Sequence, residues 1–268
     1  MSERETQRTI ADFGDQWTRF TDNSGYYGSA ELFSDIVAPL LEPDAVRGRR
    51  VADIGSGTGR IVEMLLVAGA AEVTAIEPSR AFDVLLRRFA DRPQRVSCHN
   101  VPGEGIASLG PFDLVFSIGV LHHIPDPAPV VAAARQSLVP GGRFVAWVYG
   151  REGNGLYLAF VRPLRAITKR LPDRVLDAAV RALDLPLVAY VWLCRRLPLP
   201  MRSYMVDVIG KMAPDKRRLI IFDQLNPAYA KYYTRNEAEK LFSDAGFSDI
   251  RLYHRHGYSW TIIGTNGG

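Results

Sequence analysis

Between residues 48 and 150 the chain alternates short β-branched runs with stretches whose apolar residues recur every three or four positions. Runs at 50–54, 72–76, 95–99, 112–118 and 142–149 predict strands, and 59–68, 79–90 and 127–138 predict helices between them. In the second helix Ser79 is the expected N-cap, with Val84, Leu85 and Phe89 on one face. Strand and helix taking turns in this way is the pattern of a parallel sheet covered on both sides.

The flanks read differently. Ahead of the alternating region, 7–20 and 29–41 predict two helices joined by the turn-rich loop TDNSGYYGS, an N-terminal helical cover. Near the other end, Thr234 and Glu237 make a T-x-x-E capping box and Gly246 a stop, so YYTRNEAEKLFSDAGF holds a helix. The runs SDIRLYH and SWTIIGT then predict two more strands. Between them and the core, 151–232 is too long for a simple connection and predicts inserted helices. Val175, Leu176, Ala179, Val180 and Leu183 have helical spacing with arginines opposite, and 185–194 is apolar apart from Tyr190.

Composition adds two constraints. A chain of 268 residues, 47% hydrophobic, buries a sizeable core, and its two cysteines, Cys98 and Cys194, are too far apart in sequence to suggest a disulfide framework or a metal site. The charged N-terminus lacks a signal-peptide core, and no apolar run reaches the roughly 20 residues of a membrane span, so the expected location is cytoplasmic. Net charge is only +4, yet residues 151–220 hold 14 Lys and Arg against 6 Asp and Glu. That imbalance reads either as solvated helix faces or as attraction to an anionic partner.

The candidate chemistry starts at VADIGSGTGR, residues 51–60. Gly55, Gly57 and Gly59 follow the first strand and open a helix, where backbone amides face whatever binds. Their G-x-G-x-G spacing puts Arg60 where a dinucleotide fingerprint needs its third glycine, which makes the loop a poor pyrophosphate cradle. Asp53 at the strand end suits a cationic ligand, and Glu77, ending the second strand, suits a ribose diol. A ribose plus positive charge and no phosphates describes S-adenosylmethionine.

At these residues the chain resembles the class I S-adenosylmethionine-dependent methyltransferases: VADIGSGTGR, VTAIEPS, PFDLVFSIGVLHHIPDP and LVPGGRFVAWVY stand in that family's order. The resemblance implies an α/β fold, a doubly wound seven-stranded sheet with six parallel strands and one antiparallel. It covers 48–150 in detail and extends loosely to 233–268, together the expected methyltransferase domain, and says little about 151–232; the pattern of the chain itself makes 1–47 the helical cover and 151–232 an inserted helical lid or substrate subdomain. It implies that Asp53 holds the methionyl ammonium, that Gly55 and Gly57 pass beneath the methionyl group, and that Glu77 binds the ribose hydroxyls. Ser56, Gly59, Pro78, Ser117 and Ile118 complete the expected cofactor set. Pro102 stands where family members commonly carry a polar contact to adenine, which leaves Gly103 or Glu104 to make it.

For the acceptor, the strand ending FSIGVLHH lacks an N-P-P-Y type sequence and there is no Pro-Cys nucleophile, so a small-molecule or lipid-like acceptor is expected. His123 is the expected base or orienting residue, with His122 beside it and Tyr27 closing over the cofactor. His254, His256 and Tyr258 fall on one face of a late strand, which faces either the acceptor or solvent. The insertion reads as a lid, as an interfacial helix at the inner membrane, or as a homodimer surface. An RNA-modifying enzyme and a catalytically inactive cofactor-binding scaffold are the competing readings. Against RNA, the insertion's arginines are interleaved with Leu, Val and Ala and not with stacking aromatics.

Overall fold

The central apolar runs pair into one sheet because they bury both faces, which a sheet sandwiched by helices provides, whereas the runs at 96–99 and 248–255 are partly exposed. In the computed structural model, which describes residues 3–168, 171–225 and 229–268, seven strands take the order β3-β2-β1-β4-β5-β7-β6. They are β1 (Arg50–Ile54), β2 (Glu72–Ile76), β3 (Val96–His99), β4 (Phe112–Ile118), β5 (Leu138–Tyr149), β6 (Ser248–Arg255) and β7 (Ser259–Thr265). Strand β7 runs antiparallel to both β5 and β6, and the other six are parallel.

Alternation along the strands splits the core in two. Val51, Val73, Leu114 and Phe116 face one layer with α2 (Ala30–Val37) and α3 (Arg60–Val67). Ala52, Ile54, Ile76, Val115 and Phe144 face the other with α5 (Ala128–Gln136) and α10 (Arg235–Asp244). Ser29 caps α2 by accepting the Leu32 N–H, and the capping box of Thr234 and Glu237 is formed at α10. The first helix, α1 (Glu3–Arg19), starts earlier than its apolar pattern indicates.

Local expectations shift where tertiary contacts intervene. Strand β5 begins at Leu138 and not at Gly142, because Leu138 pairs with Phe112 across a register irregularity that absorbs the Pro-Gly-Gly. Helix α4 is Phe82–Arg88, shorter than 79–90; Ser79 Oγ accepts the Ala81 N–H in a turn ahead of it and does not cap the helix. Strand β6 ends at Arg255, His256 is left-handed (φ 48°), and 256–258 form a turn, so His254, His256 and Tyr258 do not share a face. His254 stacks on Trp260 at 4.3 Å, and His256 Nε2 meets Asp35 Oδ1 at 2.8 Å.

After Gly150 the chain leaves the sheet through α6 (Gly155–Thr168), α7 (Asp173–Cys194), α8 (Arg202–Asp207) and α9 (Pro214–Leu225), then returns at Tyr233, which bridges Gly150. Helix α7 runs through Pro186 and is turned relative to its expected face. Leu176 and Val180 are buried among α6 and α9 residues while Val175 and Leu183 are exposed. The buried Asp184 sets this rotation, since it accepts from Arg217 Nε on α9 at 2.9 Å. No helix among the described residues is long and apolar enough to cross a membrane.

Candidate active site

The carboxyl ends of β1, β2, β4 and β5 open into one cavity of about 460 Å³, closed on its outer side by α1 and α6 to α9. Ligands of open α/β sheets sit at this edge, where the strand order reverses between β1 and β4.

At one end is the glycine loop. Gly55 (φ 77°) lies so close to Val120 that a Cβ there would stand 2.5 Å from its side chain, so no larger residue fits. Glu77 is pinned to the loop: Oε2 accepts the Gly57 N–H at 2.8 Å and Oε1 the Ser79 N–H at 2.9 Å. A carboxylate has about four acceptor positions, so both oxygens retain a lone pair for hydroxyl donors. Trp17 on α1 covers the loop beside Gly57, and Asn23 takes the Thr58 hydroxyl at 3.1 Å, which ties the N-terminal cover to the site. Ile54, Ser56, Pro78, Gly103, Glu104 and Ile118 also line this end.

Asp53 lies behind the loop, buried, and is not itself part of the cavity wall. Its Oδ2 has no hydrogen-bond partner among the described residues, and burial pushes its pKa up to about 7, aided by Glu77 and opposed by Ser56 and Arg60. A buried, orphaned carboxylate is costly unless a cation approaches, so this end fits a ligand that brings an ammonium beside a diol. Two further residues of the expected set sit off the wall. Gly59 (φ 87°) serves packing, since a Cβ there would meet Phe89 at 2.4 Å, and Ser117 is buried inside β4.

His123 lines the middle of the cavity with its ring 4.5 Å from that of Phe13. Its Nδ1 stands 2.9 Å from the Tyr229 carbonyl oxygen. A carbonyl only accepts, so Nδ1 carries the proton and Nε2 keeps the free lone pair. Burial lowers the pKa of His123 from 6.5, a shift that Asp223 and the Tyr229 carbonyl oppose. His122 is not on the wall: its ring stacks on Tyr149 at 3.8 Å, and neither ring nitrogen has a partner among the described residues. The two histidine rings are 4.2 Å apart at the short turn Leu121–His123, and of the pair only His123 lines the cavity. Tyr27 reaches the wall with its ring 4.4 Å from the Arg60 guanidinium, on the glycine-loop side.

Beyond His123 lies a group the sequence did not single out. Tyr149 donates to Asp223 Oδ2 at 2.8 Å, Gln16 Nε2 donates to Asp223 Oδ1 at 3.0 Å, and Gln224 joins Tyr149 and Tyr157 at 2.7 and 2.6 Å. Burial holds the Tyr149 and Tyr157 hydroxyls well above their usual pKa of 10, so both stay protonated. The one available signal was the position of Tyr149 at the carboxyl end of a strand, since Asp223 sits in α9 with no clear apolar face to mark it. Further out the wall turns apolar, with Leu183, Leu187, Met201, Met205, Met212 and Ile220. Tyr258 lines the cavity too, together with Arg255, which is paired with Asp35.

Residues 52–144 match the methyltransferase domain family. A ubiquinone biosynthesis O-methyltransferase of Aromatoleum aromaticum is 38% identical over 128 residues, covering 47% of this chain and 54% of that protein. A tRNA U34 carboxymethyltransferase of Chromohalobacter salexigens is 37% identical over 125 residues, covering 44% and 37%. The chain thus spans about half or less of the length of these curated relatives. Among solved structures, magnesium protoporphyrin IX methyltransferase from Synechocystis with bound S-adenosylhomocysteine shares the fold at TM-score 0.54 and 15% identity, covering 97% of both chains. Human N-acetylserotonin methyltransferase in complex with S-adenosylmethionine does so at 0.53 and 15%, covering 96% of this chain and 56% of that one. Residues 52–144 thus match a methyltransferase domain, and the seven-stranded sheet has the fold that these methyltransferases share.

Proposed function

We propose that this protein transfers a methyl group from S-adenosylmethionine to a hydroxyl oxygen of an apolar small molecule or lipid-like acceptor. One observation carries the reading: a single cavity runs from the glycine loop past His123 into an apolar lobe. Asp53 and Glu77 would hold the methionyl ammonium and the ribose diol, with Gly103 and Glu104 beside the adenine. Bound there, the cofactor supplies a methyl group activated by sulfonium. His123 Nε2 takes the proton of the acceptor hydroxyl, while the Tyr229 carbonyl stabilises the imidazolium through Nδ1. Tyr149 and Asp223 orient the acceptor oxygen, and α6 to α9 act as the lid and specificity unit that keeps water out. Tyr27 shields the cofactor side through its stacked contact with Arg60.

Support also comes from the O-methyltransferase named among the relatives, although tRNA U34 carboxymethyltransferases match a similar share of the chain. The discriminating experiment is transfer of radiolabelled methyl groups to a panel of phenols and alcohols with apolar tails, with tRNA alongside. Label is expected on the apolar hydroxyl compounds. Label on tRNA alone would replace the acceptor class, and cofactor binding with no transfer to any compound would favour a scaffold.

Cofactor recognition has its own check. Glu77→Ala is expected to weaken S-adenosylhomocysteine binding by about 1.5 to 3 kcal/mol, the loss of charge-assisted hydrogen bonds, as read by calorimetry. Unchanged affinity would remove Glu77 from the ribose.

A further inference from the structure

Two helices of the 151–232 segment leave apolar stripes in solvent. On α7 the inward positions Leu176, Val180, Asp184 and Val191 are buried, and the opposite face carries Val175, Ala178, Ala182, Leu185, Ala189 and Trp192 at three- and four-residue spacing. Leu185 is 74% exposed and Trp192 is 52% exposed. Helix α6 adds Leu156, Phe160 and Ile167, of which Phe160 is 76% exposed. Large apolar side chains in such number on adjacent elements mark a surface that contacts something.

The charge beside the stripes identifies the partner. Arg174, Arg181 and Arg195 lie at multiples of seven residues along one edge of the α7 stripe, all exposed, and Arg196 stacks over Trp192 at 3.8 Å. The acids Asp177 and Asp184 are engaged by Arg19 and Arg217 and so do not neutralise that edge. An apolar stripe edged with arginines is the pattern of a helix lying at a lipid headgroup boundary, with guanidinium groups on phosphates. A second copy of the chain is a poorer occupant, because a self-complementary contact would set this strongly basic segment against itself. The surface is also continuous with the cavity: Leu164 and Leu183 line it and are 37% and 36% exposed, so its mouth opens beside the stripes.

We propose that the outward faces of α6 and α7 dock on a bilayer containing anionic lipid. The delivery consequence rests on the acceptor reading above: an apolar acceptor would pass from the bilayer into the cavity without crossing bulk water. The docking itself does not depend on catalysis.

The test is flotation of the full chain with vesicles of phosphatidylcholine alone or mixed with phosphatidylglycerol, with tryptophan emission as a second readout. Binding is expected to be roughly tenfold or more tighter to the anionic vesicles, to fall with salt, and to shift emission to the blue in a way that Trp192→Phe diminishes. Leu185→Glu with Trp192→Glu, and separately Arg174→Glu with Arg181→Glu, should each reduce binding by a similar factor while S-adenosylhomocysteine affinity stays at the wild-type value. No vesicle binding, or binding unchanged in both variants, overturns the proposal. So does a dimer in sedimentation that the Leu185 and Trp192 changes dissolve while vesicles are ignored. Vesicle binding without methyl transfer to any compound would count against the functional reading alone.

Discussion

His123→Ala is expected to lower turnover by about 10²- to 10⁴-fold, the usual contribution of a general base, while leaving S-adenosylhomocysteine affinity near the wild-type value. The cofactor should be indifferent because His123 lies in the middle of the cavity and the glycine loop at its end. The pH profile makes the role specific. Burial lowers the pKa of His123, so the neutral base prevails above the reference value of 6.5 and the rate should fall only as pH drops through a midpoint below that value. With saturating cofactor, that acidic limb should vanish in His123→Ala. His122→Ala should do much less, since its ring packs behind Tyr149, away from the cavity. A His123 variant with full turnover, or one keeping the same limb, would leave positioning as the whole of the chemistry.

The second large effect concerns Asp53 and has two halves of opposite sign. Its folded pKa of about 7 stands above the ordinary carboxylate value of 3.8, so between those values the folded chain holds a proton that the unfolded chain has released. Stability from this group is therefore complete below pH 4 and lost as pH rises toward 7. Above that, the buried carboxylate costs about 4 kcal/mol, taking 1.36 kcal/mol per pKa unit. Asp53→Asn should accordingly make the cofactor-free protein more stable than wild type at pH 8, with the gap closing toward pH 4, as measured by urea unfolding. The same change should abolish tight cofactor binding, because the ammonium loses its counter-charge. Bound S-adenosylhomocysteine should in turn hold Asp53 ionised, so wild-type affinity should decline as pH falls below 7. If Asp53→Asn were less stable at pH 8 and bound the cofactor normally, the carboxylate would be a structural group only.

In the proposed role, activity and stability compete at Asp53. The Asp53 Oδ2 is buried without a hydrogen-bond partner among the described residues, a cost that a cationic ligand would offset. Glu77, by contrast, is already satisfied by the Gly57 and Ser79 amides, so it organises the loop before any ligand arrives. A site that combines one satisfied carboxylate with one unsatisfied carboxylate separates shaping from selecting.

Local sequence was enough for the sheet and for the placing of the glycine loop at its edge. Pairing of the central strands follows from runs apolar on both faces, and the glycine loop with Asp53 and Glu77 is contiguous with those strands, so short-range spacing places them. The capping box at α10 was legible for the same reason, since all its partners lie within four residues. Only tertiary structure decided the acceptor end. Asp223 joins Tyr149 across 74 residues and Gln16 across 207, contacts no periodicity records. The rotation of α7 was equally hidden: Val175 and Leu176 are both apolar and adjacent, and the buried ion pair of Asp184 with Arg217 determines which of them faces inward. Likewise the two histidines of LHH are indistinguishable as letters, and the Tyr229 carbonyl holds only His123 in the cavity. Spacing fixes what neighbours along the chain can do together, whereas the choice between equivalent neighbours is made by the partners that packing brings from far away.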